Sequence, residues 1–175
     1  MSYFSDNIVI LRKLEPKDLP FLYSVENSDE NVLCGSVHNP LSNKDISDYI
    51  TSSTGDIYKD SQLRLIVESA SDNATLGIVD LYDFDIFNSR AAIGIYIIES
   101  ERNKHYATRA LTLLEKYAFN VLRLRLLYAF VSVENPNSFL LFNTLNYNKS
   151  SELKSFLRDS GVIYFYKLNP AGHSN

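Results

Sequence analysis

Arg102 and Lys104 lie in the run Arg102-Asn103-Lys104-His105-Tyr106-Ala107-Thr108, between an apolar stretch over residues 91–98 that reads as a strand and a long amphipathic stretch that reads as a helix. A helix start presents backbone N–H groups without intrahelical partners and the positive end of the helix dipole, so a loop folded around it can hold a phosphate or pyrophosphate. The two cations add charge of the right sign, although an ordinary strand-to-helix turn with solvated Arg and Lys has the same composition. Asn and His are enriched among non-glycine residues at positive φ, so Asn103 and His105 can supply the backbone turns of such a cradle. A second set of residues suits capture of a cation, or is simply solvated: Glu26, Asp29 and Glu30 in one stretch, Asp80 and Asp83 in another. A regular strand puts Asp80 and Asp83 on opposite faces, so both reach one pocket only through a bulge.

These residues need a scaffold, and the chain has the composition for one. It has 175 residues, 45% hydrophobic and 22% charged, which suits a single core and no repeat, low-complexity tract or linker. The single Cys34 cannot form an internal disulfide and lacks a recognisable Cys-His-Asn setting for a nucleophile. His38, His105 and His173 have no zinc-like spacing, so no metal is expected. No basic-then-apolar leader and no bilayer-length apolar run is present, which makes a cytoplasmic protein without membrane attachment the expectation. A formal charge of -4 argues against general nucleic-acid binding and is compatible with a cationic substrate.

Residues 8–14 alternate as a strand, and Glu15-Pro16-Lys17-Asp18 opens a helix running to about Glu26. The spacing predicts a second helix over residues 44–58, strands at 63–69, 75–84 and 90–98, and a hairpin closed by Asn88-Ser89. Ala107, Ala110, Leu111, Leu114, Ala118 and Val121 recur at helical spacing and predict one face packed on a sheet. A buried strand at 126–133, a helix opened by Asn135-Pro136 and ending near Leu145, and strand-like pieces from 147 and at 161–168 complete the order. Such a mixed order predicts an α/β (α+β) sandwich with a partly antiparallel sheet.

Four segments, in order, resemble one family. The loop from Arg102 resembles the acyl-CoA pyrophosphate loop of the GNAT (general N-acetyltransferase) superfamily, in which Arg or Gln, two residues, Gly, one residue and Gly or Ala follow one another. Arg102 and Ala107 match, and His105 stands at the Gly. The run from Leu11 to Asp18 resembles the opening of the ribosomal-protein and spermidine N-acetyltransferase branch, and Leu76-Gly77-Ile78-Val79-Asp80-Leu81 its third strand. Val133-Glu134-Asn135-Pro136-Asn137-Ser138 resembles the exit of its fifth strand, and Leu145-Asn146-Tyr147 occupies the usual Leu-Gly-Phe.

The resemblance implies a GNAT-like three-layer sandwich over residues 1–170 with a tail at 171–175, and a mixed, largely antiparallel sheet splayed between its fourth and fifth strands. It places acetyl-CoA in the splay as cosubstrate. The backbones of Ile97 and Ile98 would pair with pantetheine, residues Asn103, Lys104, His105, Tyr106, Ala107 and Thr108 would hold the pyrophosphate with Arg102, and Asn135 and Ser138 would contact the cofactor from the other side. Packing alone also accounts for the Ile97 and Ile98 side chains. The implied activity is direct acetyl transfer to a primary amine, with a polyamine or other small amine as acceptor and Glu26, Asp29, Glu30, Asp80 and Asp83 as its binding acids. Asp83 is the closer match to a polyamine-site acid. Alternatives are N-terminal acetylation of a ribosomal or other protein, and a catalytically weak CoA-binding regulator; a homo-oligomer is left open.

Acyl transfer needs an amine that has shed a proton from a group of pKa near 10.4, an oxyanion donor, for which the Ile97 N–H is the family-like choice, and an outlet for the thiolate. Relatives commonly protonate the thiolate with a Tyr; the matching residue is Phe142, which faces the cofactor in that alignment but carries no proton.

Overall fold

Residues 3–28, 40–157 and 160–171 are described by a computed structural model. The predicted acids Asp29 and Glu30, together with Cys34, His38 and His173, fall outside them.

Seven strands form one sheet in the order β1-β2-β3-β4-β5-β7-β6. In chain order they are β1 (Val9–Lys13), β2 (Leu63–Ser69), β3 (Thr75–Asp85), β4 (Arg90–Ile97), β5 (Leu126–Ser132), β6 (Asn148–Leu153) and β7 (Val162–Leu168). Every pairing is antiparallel except β4 with β5. That parallel contact is brief. Arg90, Ala91 and Ala92 face Leu126, Leu127 and Tyr128, and beyond them the two strands part. The mixed sheet and its splay are those the resemblance implied.

Helix α4 (Tyr106–Asn120) covers one sheet face, with α5 (Pro136–Thr144) beside the parting strands. Ala110, Leu111, Leu114 and Ala118 are wholly buried against Val79, Leu81, Ile93 and Leu127. The other face of β2 and β3 is covered by α1 (Leu19–Glu26) and α2 (Asn43–Ser52), whose Leu22, Val25, Ile46 and Ile50 pack on Ile66 and Ile78. Strand alternation therefore sends Val79 and Leu81 to the α4 layer and Ile78, Asp80 and Tyr82 to the opposite face.

Three boundaries depart from expectation for local reasons. The helix predicted over 44–58 breaks at Ser52, because the Ser-Ser-Thr-Gly run is a poor helix former and Gly55 turns at φ +67, where the Asp60 carboxylate accepts the Thr54 and Gly55 N–H groups. A separate short helix α3 (Ile57–Asp60) follows. The first helix begins as a 3-10 turn, Pro16–Asp18, pinned by two hydrogen bonds of 2.7 Å from Arg12 to the Asp18 carboxylate. Val121, placed by its spacing on the buried face of α4, lies just past the helix end and is exposed.

Candidate functional site

The parting of β4 and β5 opens a cleft of about 690 Å³ lined by β4, the loop after it, the first turn of α4 and the start of α5. Alternation decides what β4 offers to it. Ile98 N–H donates to Leu76 O at 3.0 Å, so the even-numbered residues of this stretch hydrogen-bond to β3 and the odd-numbered Ile95 and Ile97 turn their N–H and C=O groups into the gap. Ile98 therefore differs from its predicted role: its N–H is taken by Leu76 and its C=O by Glu101 N–H. Ile95 supplies the second gap-facing backbone in its place. The Ile97 carbonyl accepts Arg102 Nε at 3.0 Å, and the Arg102 guanidinium lies 5.8 Å from the Tyr96 ring centre.

The loop has the cradle shape without glycine. Asn103 and His105 sit at φ 64 and φ 63, in the left-handed region. His105 caps α4 without a side-chain hydrogen bond, and the helical ladder begins with Arg109 N–H to His105 O. The N–H groups of Tyr106, Ala107 and Thr108 precede that ladder, and all three residues line the cleft. Lys104 is exposed and paired at 3.0 Å with Glu101, which itself lines the cleft, so the pair adds little net charge there. A second helix start faces the same space: Asn135 caps α5 by accepting the Ser138 N–H at 2.9 Å, and both residues line the cleft. Two helix N-termini and a strand with an open backbone edge thus converge, an arrangement that favours an anion at one end and an extended amide chain along the strand.

Deeper in the splay lies a smaller cavity of about 150 Å³. Ile95, Ser132, Asn135 and Ser138 border both spaces, and Tyr82, Gly94 and Phe130 carry the smaller one toward the opposite sheet face. Phe142 borders this inner cavity rather than the main cleft. Its ring is buried at 5.0 Å from Tyr147 and 5.7 Å from Phe165. Behind it, burial and the neighbouring Glu115 push the Tyr147 phenol well up, so that hydroxyl stays protonated.

The predicted acids divide. Arg64 Nη1 donates to Glu26 Oε1 and Arg64 Nε to Asp80 Oδ1, the latter at 2.7 Å. Burial lowers the Arg64 pKa, but Asp80 and Glu26 outweigh it and hold the guanidinium charged. Glu26 and Asp80 therefore differ from the expectation of acids awaiting a ligand, since an internal cation already satisfies them. Asp83 is different again. The register slips between Tyr82 and Asp85, Asp83 takes φ 52, and its carboxylate accepts the Tyr128 hydroxyl at 2.7 Å while forming no ion pair among the described residues. The bulge that would bring both acids toward one side is present.

Arg64, Ile95, Tyr82, Tyr128 and Phe130 carry no sequence motif. The cross-strand register Arg64↔Asp80 is the signal that would have found the first, and the two-residue spacing of Tyr128 and Phe130 on a predicted strand the last two.

The acetyltransferase (GNAT) domain family matches residues 9–147. A spermidine N(1)-acetyltransferase of Escherichia coli strain K12 is 30% identical over 150 residues, covering 85% of this chain and 77% of its own length. Its counterpart in Vibrio cholerae serotype O1 is 26% identical over 143 residues, 82% and 80% of the two chains. The crystal structure of a Vibrio cholerae spermidine N-acetyltransferase in complex with CoA and spermine superposes with a TM-score of 0.80 at 23% identity, covering 94% and 97% of the two chains. A dodecameric structure of that enzyme gives 0.77 at 22% identity over 94% and 95%.

Proposed function

This chain belongs to the GNAT acetyltransferase family, and on that premise we propose that it acetylates a polyamine or a similar small diamine, with acetyl-CoA held in the β4–β5 splay. The observation that carries the proposal is a pair of adjoining spaces in the splay: a cleft faced by the first-turn N–H groups of α4, and a smaller cavity that shares Ile95, Ser132, Asn135 and Ser138 with it and ends at Tyr82 and Phe130, beside the Asp83–Tyr128 pair. The residues fit the cofactor, because the two left-handed corners at Asn103 and His105 leave the first-turn N–H groups of α4 facing the cleft.

Acetyl-CoA supplies an activated acyl group as a thioester. Ile97 turns its N–H into the gap, where it can hold negative charge on an acyl oxygen. The described residues that line the inner cavity include no carboxylate and no imidazole, and water is the group assigned to carry the amine proton away. Phe142 offers no acid to the departing sulfur. A thiol pKa of about 8.5 makes the free thiolate a tolerable leaving group, and a modest turnover follows. Asp83, exposed and forming no ion pair among the described residues, is the acid assigned to acceptor capture; Glu26 and Asp80 act through Arg64 to shape the wall.

No helix among the described residues is long and apolar enough to cross a membrane, and a cytoplasmic location completes the reading. Self-association is also part of it: the β3–β4 hairpin leaves Ile86 65% and Phe87 92% exposed, the kind of apolar tip that a second copy covers. The test is acetyl-CoA turnover with spermidine, spermine, short diamines and N-terminal peptides. Transfer to the polyamines is expected; transfer to peptides alone would replace this reading with N-terminal acetylation.

A further inference from the structure

Tyr128, Phe130 and Tyr164 meet in a triangle on the sheet face away from α4. Their ring centres are 5.8 Å apart for Tyr128 and Phe130, 5.4 Å for Phe130 and Tyr164, and 5.7 Å for Tyr128 and Tyr164. They stand on β5 and β7 in register, Tyr128 opposite Tyr166 and Phe130 opposite Tyr164. Across the strand gap, Tyr82 leans over Gly94, where a methyl group would sit 3.3 Å from the Tyr82 ring. Between Tyr82 and Tyr128 the register places only Ala92, so the row of large rings has a notch. Phe130 and Tyr82 also border the inner cavity, which makes the rings continuous with the point where the acyl group and the amine must meet.

Resting on the polyamine reading above, we propose that Tyr128, Phe130 and Tyr164, with Tyr82 across the notch, form a cation–π subsite for the non-reacting ammonium of the acceptor. Three observations converge on a cation rather than an apolar ligand. Phe130 and Tyr82 are each more than a third exposed, so these two rings present surface to a hydrated ligand, while Tyr128 is buried behind them and Phe130 also stacks on Phe156 at 4.9 Å. A carboxylate, Asp83, hydrogen-bonds the rim through Tyr128 Oη, and polarises that phenol so that its ring is more electron-rich. Two arginines on this face are already paired, Arg90 with Asp85 at 3.2 Å and Arg64 with both Glu26 and Asp80, so the wall keeps a net attraction for positive charge. Burial and the Asp83 hydrogen bond keep Tyr128 protonated at neutral pH, which preserves both the hydrogen bond and the ring. An alkylammonium chain then has its reacting end in the inner cavity and its second ammonium on the rings. The wall selects diamines over monoamines without adding a carboxylate.

The experiment compares the wild type with Phe130→Leu, Tyr164→Leu and Phe130→Trp, using spermidine and propylamine as acceptors and calorimetry of spermidine on the CoA-loaded protein. The Leu variants keep an apolar surface and lose the π face; Trp restores it and guards against a merely structural loss. Both Leu variants should raise the KM and Kd for spermidine about five-fold or more; Tyr164→Leu, at a residue that does not line the inner cavity, should also keep kcat within about two-fold and leave propylamine unchanged, while Phe130→Trp matches or exceeds the wild type. Unchanged spermidine constants in the Leu variants, or equal losses for spermidine and propylamine in Tyr164→Leu, would overturn the subsite and leave the polyamine reading standing. A wild type that acetylates propylamine or a peptide but neither binds nor acetylates spermidine would overturn both.

Discussion

On the side of the splay proposed for the cofactor, the groups offered to a ligand belong to the main chain: the Ile95 and Ile97 N–H groups and the first-turn N–H groups of α4. On the side proposed for the acceptor they belong to side chains, and most are engaged already, Glu26 and Asp80 with Arg64 and Asp83 with Tyr128. A main-chain site depends on where elements start and stop, so it survives changes of residue type as large as His for Gly. A side-chain site depends on which partner each charge finds, and one internal cation is enough to reassign two acids.

The sharpest way to break this contrast is to remove that cation. Arg64→Leu leaves two largely buried carboxylates without a partner and should lower stability by about 3–5 kcal/mol, read as a reduced denaturant midpoint. Adding Glu26→Gln and Asp80→Asn should recover most of the loss; an additive further decline would show that the triad is not a charge-balanced unit. Next in size is Ala107→Asp in the first turn of α4. An acid there complements the helix dipole, so stability should hold, whereas repulsion of a bound pyrophosphate should weaken the Kd for CoA about 100-fold. Calorimetry on the folded variant decides it, and undiminished binding would move the phosphates elsewhere.

A smaller effect is expected from Phe142→Tyr, which returns a hydroxyl to the wall of the inner cavity. If sulfur protonation limits turnover, single-turnover rates should rise up to about ten-fold, well below the 10²–10⁴ range typical of a full acid catalyst. A large loss in a correctly folded variant would mean that the ring is needed for packing against Tyr147 and Phe165. The smallest concerns pH. Tyr128 has a raised folded pKa, so its hydrogen bond to Asp83 contributes fully below the unfolded value near 10 and is lost as pH rises through the folded one. Wild type should therefore exceed Tyr128→Phe by about 1 kcal/mol from pH 7 to about pH 10, with the margin shrinking above that. A margin that instead grows with alkalinity would contradict the assignment.

The same contrast explains what could be read in the residues alone. The periodicity of α4, the Asn135-Pro136 helix start and the strands at β3, β4 and β5 are local patterns, and they place the cleft correctly. Substituting His105 and Asn146 for glycine in the family pattern did not hide the turns, because both residues reach positive φ, His105 at 63 and Asn146 at 59. The direction of the Ile98 backbone is not legible in the residues, because alternation in a strand fixes only relative direction; the absolute one comes from the Leu76 hydrogen bond, a long-range fact. The pairing of Glu26 with Arg64 spans 38 residues of sequence and leaves no mark on either neighbourhood.

Asn103 and His105 have a further consequence, for the heat and entropy of binding. A loop turned by glycines roams widely when empty and must be ordered by its ligand, whereas corners that carry side chains have fewer states to lose, by roughly 0.5–1 kcal/mol of conformational entropy at each position, set against the cost of positive φ, which Asn and His tolerate better than most residues. The cradle beside α4 is thus set before CoA arrives, and association should show a small entropic penalty and little dependence of its rate on loop closure.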